Sequence, residues 1–380
     1  MANSRYFTTT INQVARKAKE ATFGLWSLSH PSLRAHLDES LKLVGGRDAF
    51  VADPVFESMF PWQKSEATFK ALGGNLLEPS VVEALDKAPE AVALKKDYFA
   101  FQHQLTAWRA TLKDNKSLVV TSGTGSGKTE CFMVPILSDL AKEVKETQQP
   151  LEGVRALFLY PLNALINSQK ERLDGWTRHF NGDIRFCLYN GNTPDSRADS
   201  QVVNPNQVMT RKKLRDTPPP LLVTNSTMLE YMLIRNDDAP ILEKSQGKLR
   251  WIVLDEAHTY VGSQAAEVSL LLKRVMNAFG VDRHNVRFIA TSATVGDKEA
   301  TEKLKAYLAG LADIPTSAIE VIGGQREVPT LSESVGSQQT LADIQAIDAD
   351  TLYSFKRYTA LAKHPVSRRL RDKLNPANGP

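Results

Sequence analysis

The chain has 380 residues, with 47 Lys and Arg against 43 Asp and Glu, so its formal net charge is only +4. That charge is too small to argue for nucleic-acid binding, while an apolar share of 42% and this length allow two or three packed domains. No apolar run is long enough to cross a membrane, and the polar N-terminus shows no signal peptide. Cys131 and Cys187 lack zinc-binding spacing, and we expect them to be reduced in a cytoplasmic protein.

The predicted elements divide the chain into three regions. Apolar residues recur at helical spacing in residues 1–95, which predicts a helical accessory region. In residues 96–325 strand-like apolar runs alternate with helical patterns, which indicates an α/β domain with a parallel sheet flanked by helices. Residues 326–380 are predicted to be a C-terminal extension or the start of a linker. We predict strands at 118–122, 155–160, 184–189, 220–224, 250–255, 286–292 and 318–322, and helices at 128–146, 162–180, 226–235, 264–279 and 297–310.

A glycine-rich segment follows the first of these strands: Ser122, Gly123, Thr124, Gly125, Ser126, Gly127, Lys128 and Thr129. Phosphate oxygens need several N–H donors at close range, and glycines let the backbone curl around them. We predict that Lys128 reaches the β- and γ-phosphates of ATP and that the Thr129 hydroxyl ligates Mg²⁺. A flexible linker is the alternative, but a linker would not join an apolar strand to an apolar-periodic helix.

A second apolar run ends in the acidic segment Asp255-Glu256-Ala257-His258. Ligands of open α/β sheets bind at the carboxyl ends of the strands, which places these carboxylates beside the glycine-rich loop. We assign Asp255 to Mg²⁺ and Glu256 to the attacking water, with Lys128 as the third catalytic group. A solvated turn explains an isolated Asp-Glu pair equally well, but the neighbouring loop makes that alternative weak.

Taken in order, the motifs resemble the first RecA-like domain of a superfamily 2 DEAH-box helicase, and more narrowly the large bacterial helicases related to Hrq and MrfA. The small Ser122, where other P-loops carry glycine, favours this class over GTPases and kinases. Gln104 resembles the adenine-reading residue of a Q motif. Further similar segments are residues 160–165 (motif Ia), 189–194 (the glycine motif), 224–229 (motif Ib, with Asn225 where Pro is more frequent) and 292–294 (motif III).

The resemblance covers roughly residues 50–325 and implies a motor that uses ATP and acts on nucleic acid. The lesser motifs follow apolar strands, so they lie on loops along the rim of the sheet, where amides and hydroxyls can hold a phosphodiester backbone. Strand-contacting residues are predicted at Asn163, Gly191, Thr193, Thr224 and Thr227. An ordinary helix cap or turn explains each of these equally well when it is taken alone. Coupling between the Mg²⁺ site and the nucleic acid is predicted for His258, Ser292 and Thr294.

A second motor domain is the partner that the resemblance requires. Superfamily 2 motors close ATP between two RecA-like domains, and the second domain supplies arginines to the transition state. Only about 85 residues follow Thr294, and Arg326 lacks the expected glutamine-glycine-arginine context. We therefore expect the chain to bind ATP–Mg²⁺ but to hydrolyse it poorly until a second domain, in the same chain or another, completes the site.

The predicted function is the N-terminal motor half of a helicase or translocase. DNA is favoured over RNA as its partner, and phage defence is suggested by family likeness alone. The alternative is a nucleotide-gated binding or assembly module without turnover, whereas a signalling ATPase does not account for the ordered motifs. One further feature stays open: the basic run Arg211–Arg215 fits a nucleic-acid contact or, as we favour, a solvated helix face.

Overall fold

The computed structural model describes residues 4–26, 30–44, 49–51, 60–123, 125–196, 205–292, 298–327 and 361–373. Two compact units are present, one formed by Phe60–Glu327 and the other by Met1–Met59 with Val328–Pro380. The predicted division at residues 95 and 325 stays a prediction. Within the described ranges, no helix is long and apolar enough to cross a membrane.

The helices and strands have the following bounds. The described α-helices are α1 (Ser4–Leu25), α2 (Pro31–Ser40), α3 (Phe69–Leu72), α4 (Pro79–Asp86), α5 (Gln102–Leu112), α6 (Lys128–Thr147), α7 (Asn163–Ser168), α8 (Lys170–Thr177), α9 (Arg211–Asp216), α10 (Ser226–Ile234), α11 (Ala239–Glu243), α12 (Ser263–Ala278), α13 (Lys298–Ala312) and α14 (Pro365–Lys373). The described strands are β1 (Lys42–Val44), β2 (Ala49–Val51), β3 (Lys64–Thr68), β4 (Phe99–Phe101), β5 (Ser117–Thr121), β6 (Ala156–Leu159), β7 (Phe186–Leu188), β8 (Gln207–Val208), β9 (Leu221–Thr224), β10 (Trp251–Leu254), β11 (Arg287–Ser292) and β12 (Ile319–Gly323).

An eight-stranded parallel sheet forms the centre of the larger unit, in the order β12-β5-β11-β10-β6-β9-β7-β8. Its central strands are unbroken apolar runs because helices cover both faces. The predicted α/β fold with a parallel sheet is confirmed, and all seven predicted strands are present. The two-residue strand β8 was not predicted, and the helix predicted at 162–180 is divided into α7, α8 and a 3₁₀ turn.

Two hydrophobic cores hold the layers together. One packs the sheet against α4, α5, α6 and α8, and it contains the fully buried Trp108 and Trp176. The other packs the opposite face against α9 to α13, and it contains the fully buried Phe279 and Phe288. Burial of one such side chain stabilises a protein by about 1.5–3 kcal/mol, so these layers hold the strand ends in fixed relative positions.

Arginine–carboxylate pairs fasten the amino-terminal edge of the sheet. Glu143 of α6 binds Arg155, which precedes β6, at 2.7 Å and Arg250, which precedes β10, at 2.6 Å. Arg250 also binds Asp139, at 2.6 Å. These pairs are structural, because they lie at the edge opposite to the glycine-rich loop.

Candidate functional site

The glycine-rich loop joins the carboxyl end of β5 to the first residue of α6. Gly125 and Gly127 have φ values of +72° and +77°, a region that side chains disfavour. Gly127 also lies against the Gln104 amide, so an added Cβ would collide with it. The hydroxyls of Ser122 and Ser126 lie 2.5 Å apart and share a hydrogen bond across the loop. The backbone of the loop and the N-terminus of the 20-residue helix α6 thus lie together at the carboxyl end of β5, where a phosphate group can bind. Thr124 lies outside the described residues.

Side chains of α5 brace this loop from behind. His103 is buried, and its Nε2 lies 2.8 Å from the Ser126 carbonyl, which makes Nε2 the protonated nitrogen. Burial lowers the pKa of His103 and the bond to Ser126 partly raises it, so the ring is neutral. Gln104 donates to the Gly127 carbonyl at 3.4 Å and accepts the Phe101 N–H at 3.0 Å. Gln104 therefore touches the loop directly, while its role in reading the base stays a prediction.

The acidic pair lies where β10 ends. Glu256 has a φ of +49°, and its N–H donates to the Thr291 hydroxyl at 3.0 Å, while that hydroxyl donates to Asp255 at 2.5 Å. Burial raises the pKa of Asp255; the Thr291 bond lowers it, Glu256 raises it and the Lys128 ammonium lowers it. The Lys128 ammonium thus contributes to the electrostatic environment of Asp255, while the shared catalytic site of the two residues stays a prediction. Sequence reasoning missed Thr291, which precedes motif III and is visible only once β10 and β11 are paired.

The residues at this edge fit a nucleotide-bound Mg²⁺. Across the described parts of the chain, no group of three or more His, Cys, Asp or Glu is placed to hold a metal ion. Mg²⁺ needs less than that, since it is commonly held by one or two carboxylates together with phosphate oxygens and waters. Thr129 and Asp255 are donors of this kind, and phosphate oxygens of a bound nucleotide would supply the other ligands.

A cavity of about 480 Å³ opens beside the loop. Its apolar wall includes Tyr98 and Phe99, which are 54% and 49% exposed, and its polar wall includes Gln104, Lys128 and Arg172. That volume and mixed lining suit a small-molecule ligand with a planar aromatic part. The sequence did not single out Tyr98 and Phe99, although their closeness to Gln104 in the chain was a usable signal.

The rim of the sheet carries the residues predicted to touch nucleic acid. Asn163, Gly191 and Thr227 are exposed, and they follow the neighbouring strands β6, β7 and β9. Thr193 is buried, and its hydroxyl donates to the Leu188 carbonyl at 2.9 Å and accepts the Asn190 N–H at 3.0 Å. Thr224 is fully buried. Only three of the five predicted positions thus reach the surface.

Two of the predicted coupling residues, His258 and Ser292, lie beside the acidic pair. His258 Nδ1 is 3.3 Å from Glu256 Oε2, and Ser292 is buried at the end of β11, in register with Thr121. Thr294 lies outside the described residues. The described geometry therefore joins His258 directly to Glu256, whereas its coupling role stays a prediction.

The basic run forms α9, and its two arginines are paired. Arg215 binds Asp238 at 2.8 Å, and the Tyr189 hydroxyl donates to the same carboxylate at 2.8 Å. Arg211 lies over the Tyr189 ring, 5.5 Å from its centroid. Only Lys212 and Lys213 of this run are exposed. The arginines therefore support the glycine-motif loop.

A parallel α/β sheet with a phosphate loop and an acidic pair at one edge defines a P-loop nucleotide-binding domain. The DEAD/DEAH box helicase family model matches residues 101–302, more than half of the chain. This chain belongs to the DEAD/DEAH box helicase family.

Two curated relatives and one solved structure are similar to part of this chain. The Druantia protein DruE of Escherichia coli (strain UMEA 4076-1) is 29% identical, over 64% of this chain and 18% of its own length. The uncharacterized ATP-dependent helicase YprA of Bacillus subtilis (strain 168) is 31% identical, over 58% of this chain and 27% of its own. The DUF1998 helicase MrfA bound to DNA is 23% identical with a TM-score of 0.49, over 71% of this chain and 29% of that one. The chain thus spans less than a third of the length of each of these proteins.

Proposed function

We propose that this chain is the motor half of an ATP-dependent nucleic-acid helicase or translocase, which binds ATP–Mg²⁺ and the nucleic-acid backbone. One observation carries the proposal: Lys128 begins the helix that follows β5, and Asp255 and Glu256 follow β10 at the same carboxyl edge of the parallel sheet, with a cavity of about 480 Å³ beside the glycine-rich loop. Family membership supports the same reaction class.

Each group has a defined task in this proposal. The loop N–H groups and the N-terminus of α6 bind phosphate oxygens, and the Lys128 ammonium binds the β- and γ-phosphates. The Thr129 hydroxyl and the Asp255 carboxylate hold the metal, and Glu256 orients the attacking water and accepts its proton. ATP–Mg²⁺ itself supplies the phosphoryl group and the positive charge that neutralises the transition state.

Efficient hydrolysis needs a second RecA-like domain in cis or in trans. The transition state carries charge that an arginine from such a domain stabilises, and this contribution is worth roughly 10³–10⁵ in turnover. We do not assign that arginine to Arg326, whose guanidinium stacks 3.4 Å from the centre of the Trp62 ring and donates to the Phe60 carbonyl.

The exposed rim binds the nucleic-acid backbone in this proposal. Asn225 caps α10, because its Oδ1 accepts the Met228 N–H at 2.8 Å, and its Nδ2 donates to Asn163 Oδ1 at 2.8 Å. Asn163 must therefore accept with its oxygen, which leaves its NH₂ group as a donor for a phosphate. Thr227, on the first turn of α10, lies beside this pair.

Substrate and pathway rest on the resemblance alone. DNA is the favoured partner, and anisotropy titrations with single-stranded DNA and RNA of one sequence test this preference. A role in phage defence is tested by plaque counts in cells that carry the intact gene or its Lys128→Ala variant.

Turnover tests the proposal as a whole. The protein is combined with its second motor domain, and ATP hydrolysis is measured with and without single-stranded DNA. We expect DNA to stimulate turnover and both Lys128→Ala and Glu256→Gln to abolish it. The exposed Lys142→Ala and Glu146→Gln on α6 are matched controls that keep it. Turnover that survives both site substitutions contradicts the proposal, and DNA binding gated by ATP without turnover identifies the assembly module instead.

A further inference from the structure

A row of three polar side chains crosses the carboxyl edge of the sheet: Thr291, Asp255 and Tyr160. Strand β10 pairs in register with β11 on one side and with β6 on the other, so corresponding residues of the three strands lie side by side. The Asp255 N–H extends this ladder by donating to the Leu159 carbonyl at 3.0 Å. Asp255 is thus flanked by Thr291 and by Tyr160.

The row lies on the face that α6 covers. Tyr160 belongs to the core that contains α6, together with Phe158 and Val253. Side chains alternate along a strand, so Asp255, two residues after Val253, projects to the same face. Leu159 and Leu254, which alternate with these residues along the strands, belong to the hydrophobic core on the opposite face of the sheet. Tyr160 therefore lies on the side from which Lys128 and Thr129 approach the acidic pair.

The Tyr160 hydroxyl is the member of the row without a partner. Thr291 is bonded to Asp255, whereas the Tyr160 hydroxyl is buried and has no hydrogen bond to any described residue, with the side chain 1% exposed. Burial raises the pKa of Tyr160 well above its usual value; Asp255 raises it further and Arg172 lowers it, so the hydroxyl stays neutral. Buried hydroxyls are normally hydrogen-bonded. The Tyr160 hydroxyl, next to the Asp255 carboxylate, can therefore form a hydrogen bond with a group that enters together with the bound nucleotide.

We propose that the Tyr160 hydroxyl is a positioning group of the metal site, which accepts a hydrogen bond from a water bound to the nucleotide's Mg²⁺. This inference rests on the proposed function and deepens it. Mg²⁺ sheds its waters reluctantly and keeps several when it binds with phosphates. The lone pair of such a water is directed at the metal, so its hydrogens need acceptors. Asp255 offers one acceptor and Tyr160 offers a second beside it.

The Tyr160→Phe substitution removes only the hydroxyl and keeps the packed ring. Its matched control is Tyr189→Phe: Tyr189 is also buried and follows β7 at the same edge of the sheet, but its hydroxyl is bonded to Asp238 at 2.8 Å. The full chain is titrated with Mg²⁺ at fixed mant-ATP, and the mant-ATP affinity in EDTA and the melting temperature are measured for each variant.

We expect Tyr160→Phe to raise the half-saturating Mg²⁺ concentration about two- to tenfold, the worth of one neutral hydrogen bond, with affinity in EDTA and melting temperature preserved. Tyr189→Phe lowers the melting temperature and leaves the Mg²⁺ titration unchanged. The inference is overturned if Tyr160→Phe titrates like wild type, or if it loses affinity equally in EDTA, since the hydroxyl then does not serve the metal. Wild type that binds no mant-ATP overturns the proposed function as well.

Discussion

The asparagine pair on the rim allows a prediction about hydrogen-bond polarity. Asn225→Asp keeps the α10 cap, because aspartate accepts the Met228 N–H as well as asparagine does. A carboxylate, however, has no proton to donate to Asn163. The Asn163 amide therefore turns over, donates to the new carboxylate and presents its oxygen to the bound strand. The donor for the phosphate is lost without any loss of the helix cap.

The expected magnitude follows from the bond that is lost. A hydrogen bond to a charged group contributes about 1.5–3 kcal/mol, and 1.4 kcal/mol is a factor of ten in Kd. Binding of single-stranded DNA, measured by fluorescence anisotropy, is therefore expected to weaken roughly tenfold to a hundredfold. Asn192→Asp adds the same charge to the neighbouring exposed loop and controls for simple repulsion.

A double-substitution cycle separates this relay from an unspecific surface effect. Asn225→Ser keeps a capping oxygen and neutrality but is too short to reach Asn163. We expect it to weaken DNA binding in the wild-type background and to have no further effect once Asn163→Ala is present. Additive losses in the double variant, or an Asn225→Asp protein that binds like Asn192→Asp, would refute the polarity argument.

Two further predictions concern the framework of the site. Burial acts to raise the pKa of Glu143, but the bonds to Arg155 and Arg250 outweigh burial and leave this pKa lowered. The ionised carboxylate therefore stabilises the fold at pH values above the pKa of the unfolded state. This stabilisation is lost as the pH falls through the pKa of the folded state. We expect Glu143→Gln to lower the unfolding free energy by about 1–3 kcal/mol at pH 7 and by less at pH 3, as measured by urea denaturation; an equal difference at both pH values would refute this. Gly127→Ala places a side chain at a positive φ and displaces Gln104. We therefore expect mant-ATP affinity to fall at least about tenfold while the melting temperature changes little. Unchanged affinity would contradict the described loop geometry.

Local patterns were enough to predict seven of the eight strands of the central sheet and the longer helices that follow them, but not α4, α5, α9 and α11. Each central strand is an apolar run bounded by polar residues, and each long helix repeats apolar residues at helical spacing, so both signals survive without tertiary information. Strand β8, with two residues, is too short to carry such a signal. The motifs predicted the phosphate loop and acidic pair because their chemistry is contained in short segments.

Residues defined by long-range pairing could not be predicted in the same way. Thr291 acts through Asp255 on a neighbouring strand, and His103 acts through the backbone of Ser126, 23 positions away. Thr224 was predicted to contact nucleic acid, but it lies two residues after Leu222, on the same face of β9, and is fully buried there. The sequence predicted that Thr224 lies at the end of a strand, but it did not predict which face of the sheet its side chain occupies.

The central claim is that Lys128, Thr129 and Asp255 surround the phosphates of one bound nucleotide. The most direct measurement is the position of the metal, determined by anomalous diffraction from a crystal of the chain soaked with Mn²⁺ and a non-hydrolysable ATP analogue. A manganese peak between the Thr129 hydroxyl and Asp255, with the γ-phosphate on Lys128, is the predicted result. A nucleotide bound away from the glycine-rich loop, or a metal remote from Asp255, would contradict it.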